Sequence, residues 1–343
     1  MAVLLAPGGR STRTDLDRPG PTWTDLDRPG PTWTSPAAGR GPPVARRAAS
    51  PPLASSASRR AAPRSLADIC RGPCESPASG KHGADGTTAA GRANRMSGKR
   101  ERGWVRSLAT GDPLGLRVVC FPHSGGSGIA FGEWAAAVPP GVSLMAVQYP
   151  GRGDRFGEPP VDDVTAMAAS VAAELRRLPP GDHILFGHSL GALVAYETAL
   201  LLRDAGEGPR ALCVSAALPP GRMTDRDTYK APDDEFWTTL CALGGIEPAV
   251  AGNAELRDLL LPVIRSDLRA HATYRPRPGI RPLSCPVRCY HGEGDPLVEQ
   301  DQLAGWAAVT TGGFTETERP GGHFHVTANV AELVKDVLSQ GRK

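Results

Sequence analysis

Gly187-His188-Ser189-Leu190-Gly191 sets a serine between small residues at the junction of two unlike segments. Before it, Asp182-His183-Ile184-Leu185-Phe186 reads as a short buried strand; after it, Ala192-Leu193-Val194-Ala195-Tyr196-Glu197 continues as a helix. A serine on such a turn is held in a strained conformation that only small flanking residues permit. Its hydroxyl stands exposed over the positive end of a helix. That is how a chain presents a nucleophile. A hydroxyl still needs a base to accept its proton, and the base needs an acid to fix its tautomer and stabilise its cation.

Candidates for both lie downstream. Asp295 sits in His291-Gly292-Glu293-Gly294-Asp295-Pro296, directly after an expected strand, where small residues let the loop turn a carboxylate inward. Asp225 and Asp227, after the preceding strand, are rival acids. His323, in Pro320-Gly321-Gly322-His323-Phe324 after the last expected strand, is the candidate base. His325 begins a helix and reads as structural, and the His188 side chain should point away from that of Ser189. The chain order serine, acid, histidine is that of α/β-hydrolases. Acyl transfer also needs donors for the developing oxyanion. The Leu190 N–H follows the nucleophile directly, and the Ser124 N–H comes from the glycine-rich loop Phe121–Gly128 after the first expected strand. That loop fails as a dinucleotide cradle, because Phe131 stands where Gly-x-Gly-x-x-Gly needs its third glycine, and no Walker-type Gly-Lys-Ser/Thr occurs. The His-x-His pair has no third ligand beside it. The reading therefore calls for no cofactor and no metal.

The elements that must hold these residues alternate. Strands are expected at 116–121, 142–148, 183–186, 211–215, 287–291 and 314–318. Helices are expected near 163–178, 190–204, 300–310 and 326–339. This describes an α/β fold with a mostly parallel sheet flanked by helices. Residues 218–282 break the rhythm with helical spacing alone (Phe236, Leu240 and Leu243; Leu256, Leu259, Leu260, Val263 and Ile264 around Pro262) and read as an inserted helical lid.

Charge divides the 343 residues in two. Residues 1–95 carry 14 basic against 7 acidic side chains, and the remainder 25 against 29. The basic balance thus belongs to the N-terminal segment, and the mildly acidic remainder gives no support to nucleic-acid binding. Residues 1–95 lack apolar periodicity, are rich in Pro, Gly, Ala, Ser and Arg, and repeat Thr14–Trp23 as Thr24–Trp33. Such a segment is expected to be disordered and low in complexity, with Met96 as the true start and 96–343 as one catalytic domain. No stretch reaches membrane-spanning length, and Val3-Leu4-Leu5-Ala6 is too short for a signal peptide. Seven cysteines, an odd number scattered mostly in apolar runs, give no disulfide framework and point to a reducing compartment, the cytoplasm.

With these motifs in order, the chain resembles the type II thioesterases, the stand-alone editing hydrolases of polyketide and nonribosomal peptide assembly lines. The resemblance runs from about Val105 to Leu338. It rests on Cys120-Phe121-Pro122-His123-Ser124-Gly125-Gly126-Ser127, Gln148-Tyr149-Pro150-Gly151-Arg152-Gly153-Asp154-Arg155, Gly187–Ala192, Leu261-Pro262-Val263-Ile264-Arg265-Ser266-Asp267 and Gly321-Gly322-His323-Phe324. It implies an α/β-hydrolase fold, a Ser189, Asp295, His323 triad, a helical lid, and hydrolysis of acyl or aminoacyl thioesters on the phosphopantetheine arm of an acyl or peptidyl carrier protein; the chain is expected to act as a monomer. The lid arginines Arg257, Arg265 and Arg269 are candidate contacts for an acidic carrier. Ser124 departs from the alanine usual in the family, and residues 1–95 have no counterpart there. A medium-chain fatty acyl carrier-protein hydrolase would share the same residues, a general serine esterase would lack the Tyr149–Arg155 motif, and a non-catalytic scaffold would not be expected to keep all three triad positions.

Overall fold

The computed structural model describes residues 103–340 apart from 223–226, 245 and 299. The expectations for residues 1–95, for Met96 and for Asp225 lie outside the described residues.

Among the described residues the centre is a seven-stranded sheet in the order β1-β3-β2-β4-β5-β6-β7. Its strands are β1 (Val105–Ala109), β2 (Arg117–Phe121), β3 (Ser143–Val147), β4 (His183–His188), β5 (Ala211–Ser215), β6 (Val287–Gly292) and β7 (Phe314–Arg319). All neighbours run parallel except β1, which pairs antiparallel with β3 at the edge. The expected fold class and each of the six expected strands are present. β1 is an addition: a short strand of partly exposed residues, whose edge is held from α1 (Val164–Leu175) by the Glu174 carboxylate accepting the Trp104 and Val105 N–H groups.

The period of two along the strands sorts side chains into two cores. Val119, Phe121, Leu185, Leu212, Val214 and Cys289 face α1 and α2 (Leu190–Asp204), whereas Val118, Cys120, Ile184, Phe186, Cys213 and Tyr290 face the other side. There they meet Phe131 and Trp134 of a 3₁₀ segment, Gly128–Ala136, and Leu333, Val334 and Val337 of the C-terminal helix. Burial on both faces explains why these strands read as continuous apolar runs instead of alternating ones.

The insertion is helical, as expected: α3 (Asp233–Ala242), α4 (Pro248–Ala251) and α5 (Ala254–Thr273), the last running through Pro262. After it come α6 (Gln300–Leu303) and α7 (Val330–Ser339), which occupy parts of the two expected C-terminal helices. The Asn253 side chain accepts the Leu256 N–H at 3.1 Å and caps the start of α5. The insertion has a core of its own, in which Phe236, Trp237, Leu240, Ile246, Val250, Leu261 and Ile264 are buried. Leu243 and Leu259, expected to share this stripe, are exposed. Among the described residues no helix is long and apolar enough to cross a membrane.

Phe236 is fully buried at the centre of this core, with the Arg265 guanidinium 4.2 Å from its ring centroid. Phe236→Ala is therefore expected to destabilise the protein by about 3–5 kcal/mol through the cavity it leaves. Urea denaturation would read this as a lower midpoint.

Candidate active site

The turn between β4 and α2 is as tight as the sequence demands. Ser189 has φ 54° and ψ −121°, a left-handed backbone that a non-glycine residue adopts only when its surroundings compel it. They do so through close approach. A side chain at Gly187 would collide with the backbone of Gly191 and Ala192, and one at Gly191 with the carbonyls of Phe121 and Pro122. The Ser189 N–H donates to the Ser215 carbonyl of β5 at 2.8 Å, which ties the strained residue to the neighbouring strand. Leu190 opens α2, so its N–H has no acceptor within the helix.

Two further loops converge from β6 and β7. The Asp295 N–H donates to the Gly292 carbonyl (3.2 Å), and its Oδ1 accepts the Leu297 N–H (2.9 Å). The other oxygen, Oδ2, accepts a hydrogen bond from His323 Nδ1 at 2.9 Å, with the carboxylate 2% and the imidazole 9% exposed. Proton donation to a carboxylate fixes the neutral ring with Nδ1 protonated and Nε2 free to accept. The backbone at Gly292 lies against the Gly321 and Gly322 carbonyls, so the acid-bearing and histidine-bearing loops touch where any side chain would separate them.

Ser189, His323, Ser124 and His123 line one cavity of about 480 Å³. Its remaining wall is mainly apolar and comes largely from the insertion, including Leu240, Leu243, Ile264 and Leu268, with Leu218 and Phe324 beside them. The structure thus gathers Ser189, His323 and Ser124 on one surface, Asp295 behind His323 and Leu190 at the helix start. Asp227, the described rival acid, also lines the cavity, but its side chain is 79% exposed and pairs with Lys230 at 2.6 Å, whereas the His323 ring bonds to Asp295.

The family model described as "Thioesterase domain" matches residues 116–340. The chain belongs to the thioesterase family. It is 36% identical over 236 residues to "Thioesterase PikA5" of Streptomyces venezuelae, covering 68% of this chain and 84% of that one. Among solved structures it is similar to the type II thioesterase BorB from the borrelidin biosynthetic cluster, at 36% identity and TM-score 0.64, covering 70% of this chain and 98% of BorB. It is also similar to RedJ, the thioesterase from the prodiginine biosynthetic pathway of Streptomyces coelicolor. There the identity is 37% and the TM-score 0.60, covering 67% of this chain and 86% of RedJ.

Around its serine this thioesterase packs more histidine than the sequence reading assigned. His188 is fully buried; its Nδ1 meets Ser215 Oγ at 3.0 Å, and the same hydroxyl meets His325 Nε2 at 3.0 Å. The His188 ring lies 5.3 Å from that of His323 and 5.6 Å from that of His123, centroid to centroid. A hydroxyl carries one proton, so it donates to one ring and accepts from the other, and the His188 and His325 tautomers are linked. His123 and Ser215 were not singled out from the sequence. A serine at the end of a buried strand and a histidine beside a glycine-rich loop carry no spacing signal of their own.

Burial drives the His123 and His325 pKa values down from the ordinary 6.5 to about 3. Repulsion from His323 and Arg152 adds to this for His123, and from Arg319 and His323 for His325. His188 is likewise lowered, first by burial and then by the three neighbouring histidines. All three are neutral in the folded protein at neutral pH. The unfolded chain takes up protons near pH 6.5 that the native state refuses, so stability is complete above pH 6.5 and falls as pH drops toward 3. Between pH 6.5 and 5.5 His123 and His325 are each expected to withdraw about 1 kcal/mol, and His188 acts in the same direction. Denaturant midpoints measured across that interval should fall as the pH is lowered.

Proposed function

We propose that this thioesterase acts as a type II thioesterase. On this reading it hydrolyses acyl or aminoacyl thioesters on the phosphopantetheine arm of carrier proteins and clears aberrant groups from polyketide or nonribosomal peptide assembly. The observation that carries the reading is Ser189, at positive φ on the wall of an apolar cavity that it shares with a carboxylate-bonded His323. The setting is cytoplasmic, where carrier-bound intermediates are made, and the working unit is a monomer.

The chemistry follows from the proton positions. His323 Nε2 accepts the proton of Ser189 Oγ as that oxygen attacks the thioester carbonyl, and Asp295 stabilises the imidazolium that results. The carbonyl oxygen becomes an oxyanion facing the N–H groups of Leu190 and Ser124, each worth about 3 kcal/mol in the transition state. The C–S bond then breaks, His323 returns its proton to the departing thiol, and an acyl group remains on Ser189. Water repeats the sequence: His323 takes its proton, the oxygen attacks the acyl carbonyl, and Ser189 leaves with the proton restored. The apolar wall gives an acyl chain a dry place during both halves, which suits a hydrolase that reads the thioester more than the group it carries.

The lid arginines expected to meet a carrier also have partners of their own. The lid arginines are engaged within the chain: Arg257 with Asp234 at 2.5 Å, Arg265 with Asp233 at 2.7 Å and Arg269 with Asp162 at 3.0 Å. The cause is local, since α3 opens with Asp233-Asp234-Glu235, acids that favour a helix N-terminus and sit within reach of α5. Attraction of an acidic carrier by these three side chains is correspondingly weakened.

Ser189→Ala is expected to abolish turnover of acyl-pantetheine thioesters and labelling by a fluorophosphonate while the circular dichroism spectrum stays unchanged. Asp295→Asn should lower kcat by about 10⁴-fold through the wrong histidine tautomer. Persistent turnover in folded Ser189→Ala would overturn the mechanism. A consistent preference for long-chain coenzyme A esters over short carrier-bound acyl groups would point instead to fatty acyl release.

A further inference from the structure

Two sequence motifs, Gln148–Arg155 and Leu261–Asp267, have no part in the chemistry above, yet the structure joins them. Asp267 lies on α5, inside the lid, and is fully buried. Arg152, in the loop after β3, grips it with both ends of its guanidinium, Nη1 to Oδ2 at 2.6 Å and Nη2 to Oδ1 at 2.7 Å. Asp267 Oδ2 also accepts the Gly125 N–H at 2.7 Å. A carboxylate from the lid therefore reaches the peptide that follows Ser124.

That peptide is the centre of a turn. The Gly126 N–H donates to the His123 carbonyl at 2.9 Å, and Gly125, at the third position, has φ 75°, as a type II turn requires. In such a turn the central N–H points away from the closing bond, and here Asp267 takes it. The loop is clasped at two more points: the Tyr149 hydroxyl donates to the Pro122 carbonyl at 3.4 Å, and Gln148 Oε1 accepts the Gly128 N–H at 3.1 Å. Both come from the segment after β3. Asp267 is the clasp that comes from the lid, and it holds the turn on which Ser124 sits.

We propose that Asp267, aligned by Arg152, is a positioning residue that fixes the Ser124 N–H as an oxyanion donor and makes its geometry conditional on the docked position of lid helix α5. The inference rests on the reading of Ser124 given above. Without the carboxylate the turn loses the clasp that ties it to the lid, and the His123–Ser124 peptide that carries the Ser124 N–H is free to shift relative to Ser189. A donor displaced by about 1 Å costs up to about 100-fold in rate while ground-state binding is spared. The lid then has two tasks: its apolar faces wall the cavity, and its buried acid sets the turn opposite the nucleophile.

The test compares Asp267→Asn with the double variant Arg152→Met/Asp267→Leu in the full chain. Removing one charge strands its partner in the interior and can cost the fold. Replacing a buried pair by apolar groups of similar volume is often neutral or stabilising, so the double variant separates positioning from stability. The substrate is an acyl-N-acetylcysteamine thioester, and the transition-state probe is a trifluoromethyl ketone that adds to Ser189 and leaves a tetrahedral oxyanion. The expected result, at wild-type melting temperature, is kcat 10- to 100-fold lower with KM within about threefold, and trifluoromethyl ketone affinity lower by a similar factor. A folded double variant with wild-type kcat and inhibitor affinity overturns the inference, as does a loss confined to KM. Ser189→Ala run in parallel separates the two levels. If it still turns substrate over, the active-site reading itself fails; if it is inactive while the double variant is unimpaired, only the role of Asp267 falls.

Discussion

The structure depends on one strained residue. Ser189 occupies a left-handed backbone conformation that costs on the order of 1–3 kcal/mol and persists only where the surroundings over-determine it. Those surroundings are the central strands themselves. β2 ends where its Phe121 carbonyl meets Gly191, β5 ends with the Ser215 carbonyl on the Ser189 N–H, and the first turn of α2 closes over Gly187. Each contact comes from a strand or helix buried on every side. The orientation of Ser189 is thus a property of the sheet and of the helix that follows it.

The second dependence is electrostatic. Four histidines, His123, His188, His323 and His325, form one cluster around the His188 ring, and among them it is His323 whose ring bonds to a carboxylate, Asp295. Burial and repulsion from neighbouring charges hold the pKa values of the other three low, so the carboxylate contact sets His323 apart from the rings around it. His188 and His325 share the Ser215 hydroxyl, whose backbone carbonyl also holds the Ser189 N–H. Ser215 therefore joins the packing that strains Ser189 to the side chains surrounding His323.

Much of this arrangement is legible in the sequence because local rules carry it. Strand–glycine–serine–glycine–helix permits few conformations, and parallel strands buried on both faces announce themselves as apolar runs. What escapes such reading is decided by partners distant in the chain. β1 is short and half exposed, with its pairing supplied by β3 and its edge held by Glu174. Phe131 and Trp134 stand three positions apart, one 3₁₀ turn, and both pack against Phe186 from the strand that lies more than 50 positions on. The lid arginines look like free cations in sequence because Asp162 and the acids of α3 that neutralise them are not adjacent to them in the chain. Arg152 and Asp267 stand 115 positions apart, and nothing in either segment names the other.

The insertion between β5 and β6 is built apart from the edge of the sheet it covers. The sheet supplies Ser189, Asp295 and His323 from the ends of three parallel strands, all on the carboxyl edge where connections leave room for a ligand. The insertion, with its own core around Phe236 and Leu261, supplies most of the apolar wall. Its deeper tie to the sheet passes through a buried ion pair, a kind of contact that often gains nothing in stability over apolar packing. Such a pair earns its place by geometry. A bidentate guanidinium–carboxylate contact tolerates little displacement, so a lid that is apolar and adaptable at its surface is held in fixed register where it meets the loop bearing Ser124.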